Sequence, residues 1–434
     1  MTEHLVVDLY GQRAATLTRS GADDYRLEYD REWAAMGGAI PLSLSLPLPR
    51  RNHRGSAVSN FIDNLLPDNP DVRERWATRA GLSTVEPFGL LEHYGQDVAG
   101  ALSFRRPGAP AVGELIPLDD SAVAERIRTT LDDPAAWHDE HLPADGQFSL
   151  GGAQTKFSLA RRNGAWYEAI GAEPSTHIVK PRVNGARDGE IVEYLTMRAA
   201  ALTGIPAAGV DLLRFDDQYS LVVERFDRTA EGVAPAGRLH QEDLMQALGR
   251  PRLLKYERDG GPSIDDIAEC LTNSGGDYSA DSTARLAQVL AFSWIMLNSD
   301  AHAKNHSVFI DPDGAQLTPL YDASSLIPYL GETGLDPDSV RDRAASRRLS
   351  MRYGASFLVG EIGGFELGAI ARRCGLASRD LVADTAGRCL ALPGIIEDLA
   401  AELPESLQTE VVARFVEWMP IRAEQAVEAL VPHF

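Results

Sequence analysis

The chain reads as an α+β protein in three successive parts: a small β-rich module over residues 1–110, a β-lobe with one helix over 111–228, and an all-helical lobe over 229–434. Three observations predict this order. Alternating apolar runs fill the stretch up to Leu48, β-rich runs recur from about residue 147 to residue 228, and helical periodicity takes over after about Gln241.

In the first part, Tyr25, Leu27 and Tyr29 alternate, as do Leu42, Leu44, Leu46 and Leu48, with breaks at Gly37-Gly38 and Pro41; a small antiparallel sheet is expected. Residues 60–104 look more helical, with Phe61-Ile62 and Leu65-Leu66 ending at Pro67. A Pro/Gly-rich stretch from Pro107 to Gly113 and a helix from about Ser121 to Leu131 mark the passage to the second part. There FSLGGAQTKFSLA, WYEAIG, THIVKP, DLLRF and YSLVVERF read as strands, and a helix between THIVKP and DLLRF carries Val192, Leu195, Ala199 and Leu202 on its apolar face. In the third part, Leu286, Leu290, Ser293 and Leu297 share one helix face, as do Val411, Phe415 and Met419.

Composition narrows the function classes. At 434 residues, 44% hydrophobic and 24% charged, the chain has the make-up of a soluble globular protein. No run approaches the 18 or so uninterrupted apolar residues of a membrane span, and MTEHLVVDLYGQ lacks a basic start before an apolar core. Cys270, Cys374 and Cys389 are too few and too scattered for a disulfide framework or thiolate cluster, so a reducing cytoplasm is expected. Sixty-three acidic residues against 42 basic ones give a net charge of −21, which repels polyanions and argues against autonomous nucleic-acid binding. Only four of the 42 are lysines: Lys156, Lys180, Lys255 and Lys304. A chain that uses arginine almost everywhere is expected to keep lysine where a compact ammonium is needed, unless compositional drift left them by chance.

The most informative segment is LNSDAHAKNHSVFI, residues 297–310, between a long helical stretch and a short apolar strand. Asp300 and Asn305 stand five apart, the separation at which a protein-kinase catalytic loop carries its aspartate base and magnesium-binding asparagine. Lys304 lies beside them, placed to neutralise a transferring phosphoryl group; a turn stabilised by Asp and Asn side chains is the bland alternative. In QLTPLYDASS, Asp322 follows another short strand, where a kinase's second metal-binding aspartate works, although Tyr321 and Ala323 flank it and no Asp-Phe-Gly occurs. Upstream, Lys180 ends the strand THIVKP, and Glu193, with Glu190 as fallback, is the helix carboxylate expected to orient it. SLGGAQTK offers backbone amides to phosphates with Lys156 adding charge, or is a plain hairpin turn. Glu224, Arg225 and Phe226 form either an adenine-reading hinge or an ordinary strand end. His302 and His306 have metalloprotease spacing, but Ala303 stands where the catalytic glutamate belongs, so zinc hydrolysis is not expected. The arginines at 341, 343, 347, 348 and 352 are either a solvated face or a docking patch.

With SLGGAQTK, THIVKP, VERFDR, LHQEDLMQALG, KYERDGGP, SDAHAKNHS, LTPLYD and LSMRYG in this order over residues 147–354, and NFIDNLLPD in the amino-terminal module, the chain resembles the HipA family of bacterial serine/threonine kinases, toxins of type II toxin–antitoxin pairs. The resemblance implies a two-lobed protein-kinase-like fold behind the small β-rich module. It implies ATP and Mg2+ as cofactors, Asp300 as catalytic base with Lys304 assisting, and Asn305 and Asp322 as metal ligands. Gly151, Gly152, Ala153, Gln154, Thr155, Lys156, Lys180, Glu193, Glu224, Arg225, Phe226, His302, Lys304, Asn305, Tyr321 and Asp322 would line the nucleotide site. Ser149 matches the family's autophosphorylated serine, whose phosphate of roughly −2 charge cannot stay in a pocket lined by carboxylates. Thr155 and Gly151 depart from the acid and alanine of the best-known members. The family also implies a HipB-like helix-turn-helix antitoxin that supplies most contacts to operator DNA, and protein substrates among which aminoacyl-tRNA synthetases are known. Two rivals remain at this stage: a catalytically silent nucleotide-binding corepressor that bridges antitoxin on DNA, and a small-molecule kinase.

Overall fold

The computed structural model describes residues 2–21, 23–132, 156–182, 187–229 and 237–431. The amino-terminal strands β1 (Glu3–Leu9), β2 (Gln12–Gly21), β3 (Asp24–Tyr29), β4 (Asn52–Arg54) and β5 (Leu102–Arg105) form one sheet in the order β4-β3-β2-β1-β5. Helix α1 (Arg31–Ala35) follows β3, and α2 (Ser56–Asn64), α3 (Pro70–Arg79) and α4 (Pro87–Tyr94) lie between β4 and β5. Both α3 and α4 begin at proline, where the missing N–H costs nothing, and the side chains of Asn69 and Glu86 cap them. Tyr25, Leu27 and Tyr29 of β3 are all buried, as their alternation predicts.

The second alternating run does not become a strand. Residues 41–49 carry Pro41, Pro47 and Pro49, which remove ladder donors, and the segment runs as turns. Tyr29 holds it instead: its hydroxyl accepts from Leu42 N (2.8 Å) and donates to Leu46 O (2.6 Å).

Next come β6 (Gly113–Leu118), α5 (Asp120–Asp132), β7 (Phe157–Arg162), β8 (Ala165–Gly171), β9 (His177–Lys180), α6 (Gly189–Leu202), β10 (Val210–Phe215) and β11 (Gln218–Glu224). The six strands pair in the order β10-β11-β9-β7-β8-β6. Strand β6 was not expected from the sequence; its Pro117 suits the edge position it takes. Asn163 (φ 51°) and Gly164 (φ 84°) turn β7 into β8, the positive-φ pair that matches the twist of a tight hairpin.

The rest comprises β12 (Gln241–Asp243), α7 (Leu244–Ala247), α8 (Ile264–Ser274), α9 (Ser279–Ile295), β13 (Ser307–Asp311), β14 (Gly314–Leu317), α10 (Pro337–Ala345), β15 (Arg348–Tyr353), β16 (Ser356–Leu358), α11 (Gly364–Arg373), α12 (Ser378–Ala401) and α13 (Glu410–Leu430). Short strands thus punctuate the lobe that periodicity alone reads as helical. No helix among the described residues is long and apolar enough to cross a membrane.

Two compact units result. The first comprises Met1–Val183, Asp211–Leu253 and Val308–Pro312; the second comprises Asn184–Val210, Leu254–Ser307 and Asp313–Phe434. In the first unit, the amino-terminal module is tied to the β-lobe by buried charge. Asp97 accepts from Arg228 (2.8 Å), Arg238 (2.7 Å), Arg225 (3.3 Å) and the Ser175 hydroxyl (2.6 Å), while Asp227 pairs with Arg225 (3.0 Å) and accepts from Gly100 N (2.7 Å). Burial alone pushes the Asp97 carboxyl up, but Arg238, Arg228 and Arg225, with the Ser175 hydrogen bond, outweigh it and hold the group below the ordinary carboxylate range.

In the second unit, α9 is buried well beyond the single face predicted. Leu286, Leu290, Ser293 and Leu297 are fully buried, and so are Ala287, Phe292, Trp294 and Met296 on the other sides. The carboxy-terminal half of α9 thus lies in the middle of its unit, and α8, α11, α12 and α13 pack around the helix. Arg422 of α13 caps it, donating to Ile295 O (3.2 Å) and Trp294 O (2.9 Å) with its guanidinium over the Trp294 ring. Helix α6, expected on the sheet, packs on α12 in this second unit, with Ala199 and Ala200 buried.

Candidate active site

The expected site residues fall in both units. Of those in the second, Asp300 to His306 follow α9 directly. The chain leaves that helix through Leu297, whose φ of 53° is left-handed, and enters a short 3-10 turn, Ala303–Asn305. Asn305 N donates to His302 O (3.0 Å), and the Asn305 side-chain amide donates to Asp300 O (2.9 Å), so the two ends of the loop are closed on each other. Lys304 is buried, whereas the Asp300 side chain is 56% exposed. His302 Nε2 lies 3.8 Å from Asp300 Oδ1. His306 is fully buried and bonded to the Ala301 backbone; burial lowers its pKa to about 4, so it is a neutral brace.

Asp322 is tied to this loop by its neighbours. The Tyr321 hydroxyl donates to Lys304 O (2.9 Å) and lies 2.7 Å from Ser307 Oγ, bracing the residues on either side of Asn305. Ser325 donates to Met296 O (2.6 Å), and Leu326 N reaches Leu297 O. Leu320 forms a parallel bridge with Ala207, donating to Pro206 O (2.8 Å) and accepting from Ala208 N (2.9 Å). Asp322 itself has φ 58°, a conformation costing a non-glycine residue roughly 1 kcal/mol or more and kept only where the surroundings impose it. Asp300, His302, Lys304, Asn305, Tyr321 and Asp322 therefore share one braced assembly. Glu193 is in the same unit, buried on α6 beside the equally buried Glu190.

In the first unit, Lys180 ends β9, the strand between β11 and β7, and is buried. It pairs with Leu221 on one side; on the other, β7 begins at Phe157, paired with Val179, and buried Lys156 stands just before that strand. Glu224 ends β11 opposite His177, and Phe226 meets the Phe309 ring edge-to-face at 5.7 Å. The Arg225 side chain is spent on the fold: it is buried on Asp97, Asp227, Ser175 and Val98 O, and its backbone N–H goes to Thr176 O. Ser149, Gly151, Gly152, Ala153, Gln154 and Thr155 lie outside the described residues.

Two family models match the chain, the HipA-like C-terminal domain over residues 148–390 and the HipA N-terminal domain over residues 5–105. The chain belongs to the HipA family. It is 31% identical over 395 residues, 88% of this chain and 86% of the relative, to the serine/threonine-protein kinase toxin HipA of Shewanella oneidensis. The solved structure of the Shewanella oneidensis MR-1 toxin–antitoxin system HipA, HipB and operator DNA complex superposes with a TM-score of 0.80 at 28% identity, covering 98% of this chain and 97% of that one. This HipA-family chain is thus a kinase of α+β, kinase-like fold.

The sequence reading missed one residue of the assembly. Tyr256, in the KYERDGGP segment singled out only for Lys255, donates its hydroxyl to Asp300 Oδ1 at 2.8 Å. Forty-four positions separate them, and no spacing rule connects residues at that distance. Much of the arginine run proves internally committed: Arg341 pairs with Glu424 and Glu428, Arg343 donates to Leu330 O, and Arg352 pairs with Glu257.

Proposed function

We propose that this HipA-family kinase is the toxin of a toxin–antitoxin pair and transfers the γ-phosphoryl group of Mg-ATP to serine or threonine of a protein, including its own Ser149. The braced assembly of Asp300, Asn305 and Asp322 carries the proposal. Asp300, exposed at the loop's mouth, takes the proton of the attacking hydroxyl. Lys304 offsets charge on the transferring group. The Asn305 amide nitrogen is committed to Asp300 O, which leaves its carbonyl oxygen as the donor to a cation; with the Asp322 carboxylate it would make the hard oxygen pair that magnesium prefers. Asn305 and Asp322 would hold Mg2+, and the chemistry it would supply there is neutralisation of charge on the phosphates. Buried Lys180 at the end of β9 and buried Lys156 just before β7 suit the anionic phosphate chain. The backbone from Glu224 to Phe226 would line the base.

A net charge of −21 favours a helix-turn-helix antitoxin as the holder of operator DNA, in keeping with the HipA, HipB and DNA complex of the Shewanella relative. An aminoacyl-tRNA synthetase is the substrate class to try first, and the cytoplasm the place of action. The test is intact-mass and phosphopeptide measurement of the purified chain before and after Mg-ATP, beside Asp300→Asn. A phosphate on Ser149 that depends on Asp300 is expected. ATP binding without phosphate anywhere would instead favour a silent corepressor.

A further inference from the structure

We propose that Tyr256 is a positioning residue for the catalytic base, its hydroxyl fixing the Asp300 carboxylate for the incoming substrate hydroxyl; this rests on the assignment of Asp300 as base. An exposed aspartate on a surface loop samples several rotamers, and each one that turns it from the acceptor costs rate. The Tyr256 hydroxyl sits 2.8 Å from Asp300 Oδ1. A carboxylate offers about four lone-pair sites, so one such bond orients the group without saturating it.

The tyrosine is itself held on three sides. Its ring meets His302 of the same loop edge-to-face, with centroids 5.0 Å apart and planes at 75°. Lys255 Nζ lies 5.6 Å from the ring centroid and Arg258 5.5 Å from it. The chain after Tyr256 closes into a compact turn, with Asp259 N and Gly261 N both donating to Tyr256 O (3.0 Å each). Glu257 anchors that turn by accepting from Arg352 N (2.6 Å) and pairing with its guanidinium (3.3 Å). Gly261 is obligatory here: a Cβ would lie 2.1 Å from Leu254 O and 2.8 Å from Tyr256 O. The Asp-Gly-Gly sequence after Tyr256 is therefore the device that aims a phenol at the base. Nothing in phosphoryl transfer itself calls for a tyrosine at this place.

The test is single-turnover transfer from radiolabelled Mg-ATP to dephosphorylated casein by the full chain, comparing wild type, Tyr256→Phe and Asp300→Asn. Phenylalanine keeps the ring against His302 and removes only the hydroxyl. The maximal rate should fall about tenfold in Tyr256→Phe while the ATP concentration giving half that rate stays within about twofold, the signature of an interaction used in the transition state rather than in binding. A melting temperature within about 2 °C of wild type excludes general loosening. Gly261→Ala, which displaces the turn, should lower the maximal rate in the same way. A Tyr256→Phe rate equal to wild type's overturns the inference alone, provided Asp300→Asn is inactive; a rate above wild type's makes the tyrosine a plug and overturns it too. Activity in Asp300→Asn, or none in wild type, overturns the base assignment and this inference with it.

Discussion

Glu242 offers a quantitative test of how the amino-terminal module is joined to the rest of its unit. It lies on β12, fully buried, and accepts Leu44 N at 2.8 Å from the irregular segment that Tyr29 holds. Burial raises its pKa from 4.5 to about 8, against the lowering effect of the bonds from Leu44 and Ser43. The unfolded chain thus ionises this group near pH 4.5, whereas the folded chain keeps it protonated until about pH 8. Because the folded value is the higher one, the contribution to stability is complete below pH 4.5, declines as pH rises and levels off above about 8. Each pH unit in that window is worth about 1.4 kcal/mol, so about 3 kcal/mol is lost between about pH 5 and pH 7.5. Glu242→Gln keeps an oxygen for Leu44 N and cannot ionise. Urea unfolding of both proteins at these two pH values, followed by tryptophan fluorescence, isolates Glu242 because every other titration cancels in the difference. The variant should gain about 3 kcal/mol on wild type between the two pH values. Parallel stability curves would refute a neutral, buried Glu242.

Two further outcomes follow from the same geometry. Asp97→Ala leaves Arg225, Arg228 and Arg238 buried around a missing partner and should cost roughly 3–5 kcal/mol in chemical denaturation, with residues of the amino-terminal module the first to lose hydrogen-exchange protection. Tyr321→Phe removes the hydroxyl that bonds Lys304 O and Ser307; phosphoryl transfer should fall about tenfold, with a raised requirement for Mg2+ seen by titrating the metal at fixed ATP.

What the sequence determined by itself was which chemistry-bearing residues stand at short spacings. The Asp300–Asn305 interval, an aspartate after the next short strand, and lysines on a strand and before it are all properties of a few adjacent residues, so the chain alone displays them. Rarity helped as well, since four lysines among 42 basic residues directed attention to Lys156, Lys180 and Lys304, all of which are buried.

Tertiary structure decided everything that depends on a distant partner. Arg225 reads locally as a hinge residue, yet its guanidinium goes to Asp97, 128 positions away, because a charge inside this unit must find its counter-charge wherever the fold brings one. The leucines at 42 to 48 alternate like a strand, but the prolines among them deny a ladder and the tyrosine of another strand holds them. Helix α9 shows one apolar face to a periodicity count, yet its second half is buried well beyond that face, since small and polar residues such as Ala287 and Ser293 pack as well as leucine once neighbours surround them. The bond from Tyr256 to Asp300 is the sharpest case: which hydroxyl meets which carboxylate across 44 residues is set by the turn at Gly260-Gly261 and the packing on His302, and no local pattern encodes the meeting of the two.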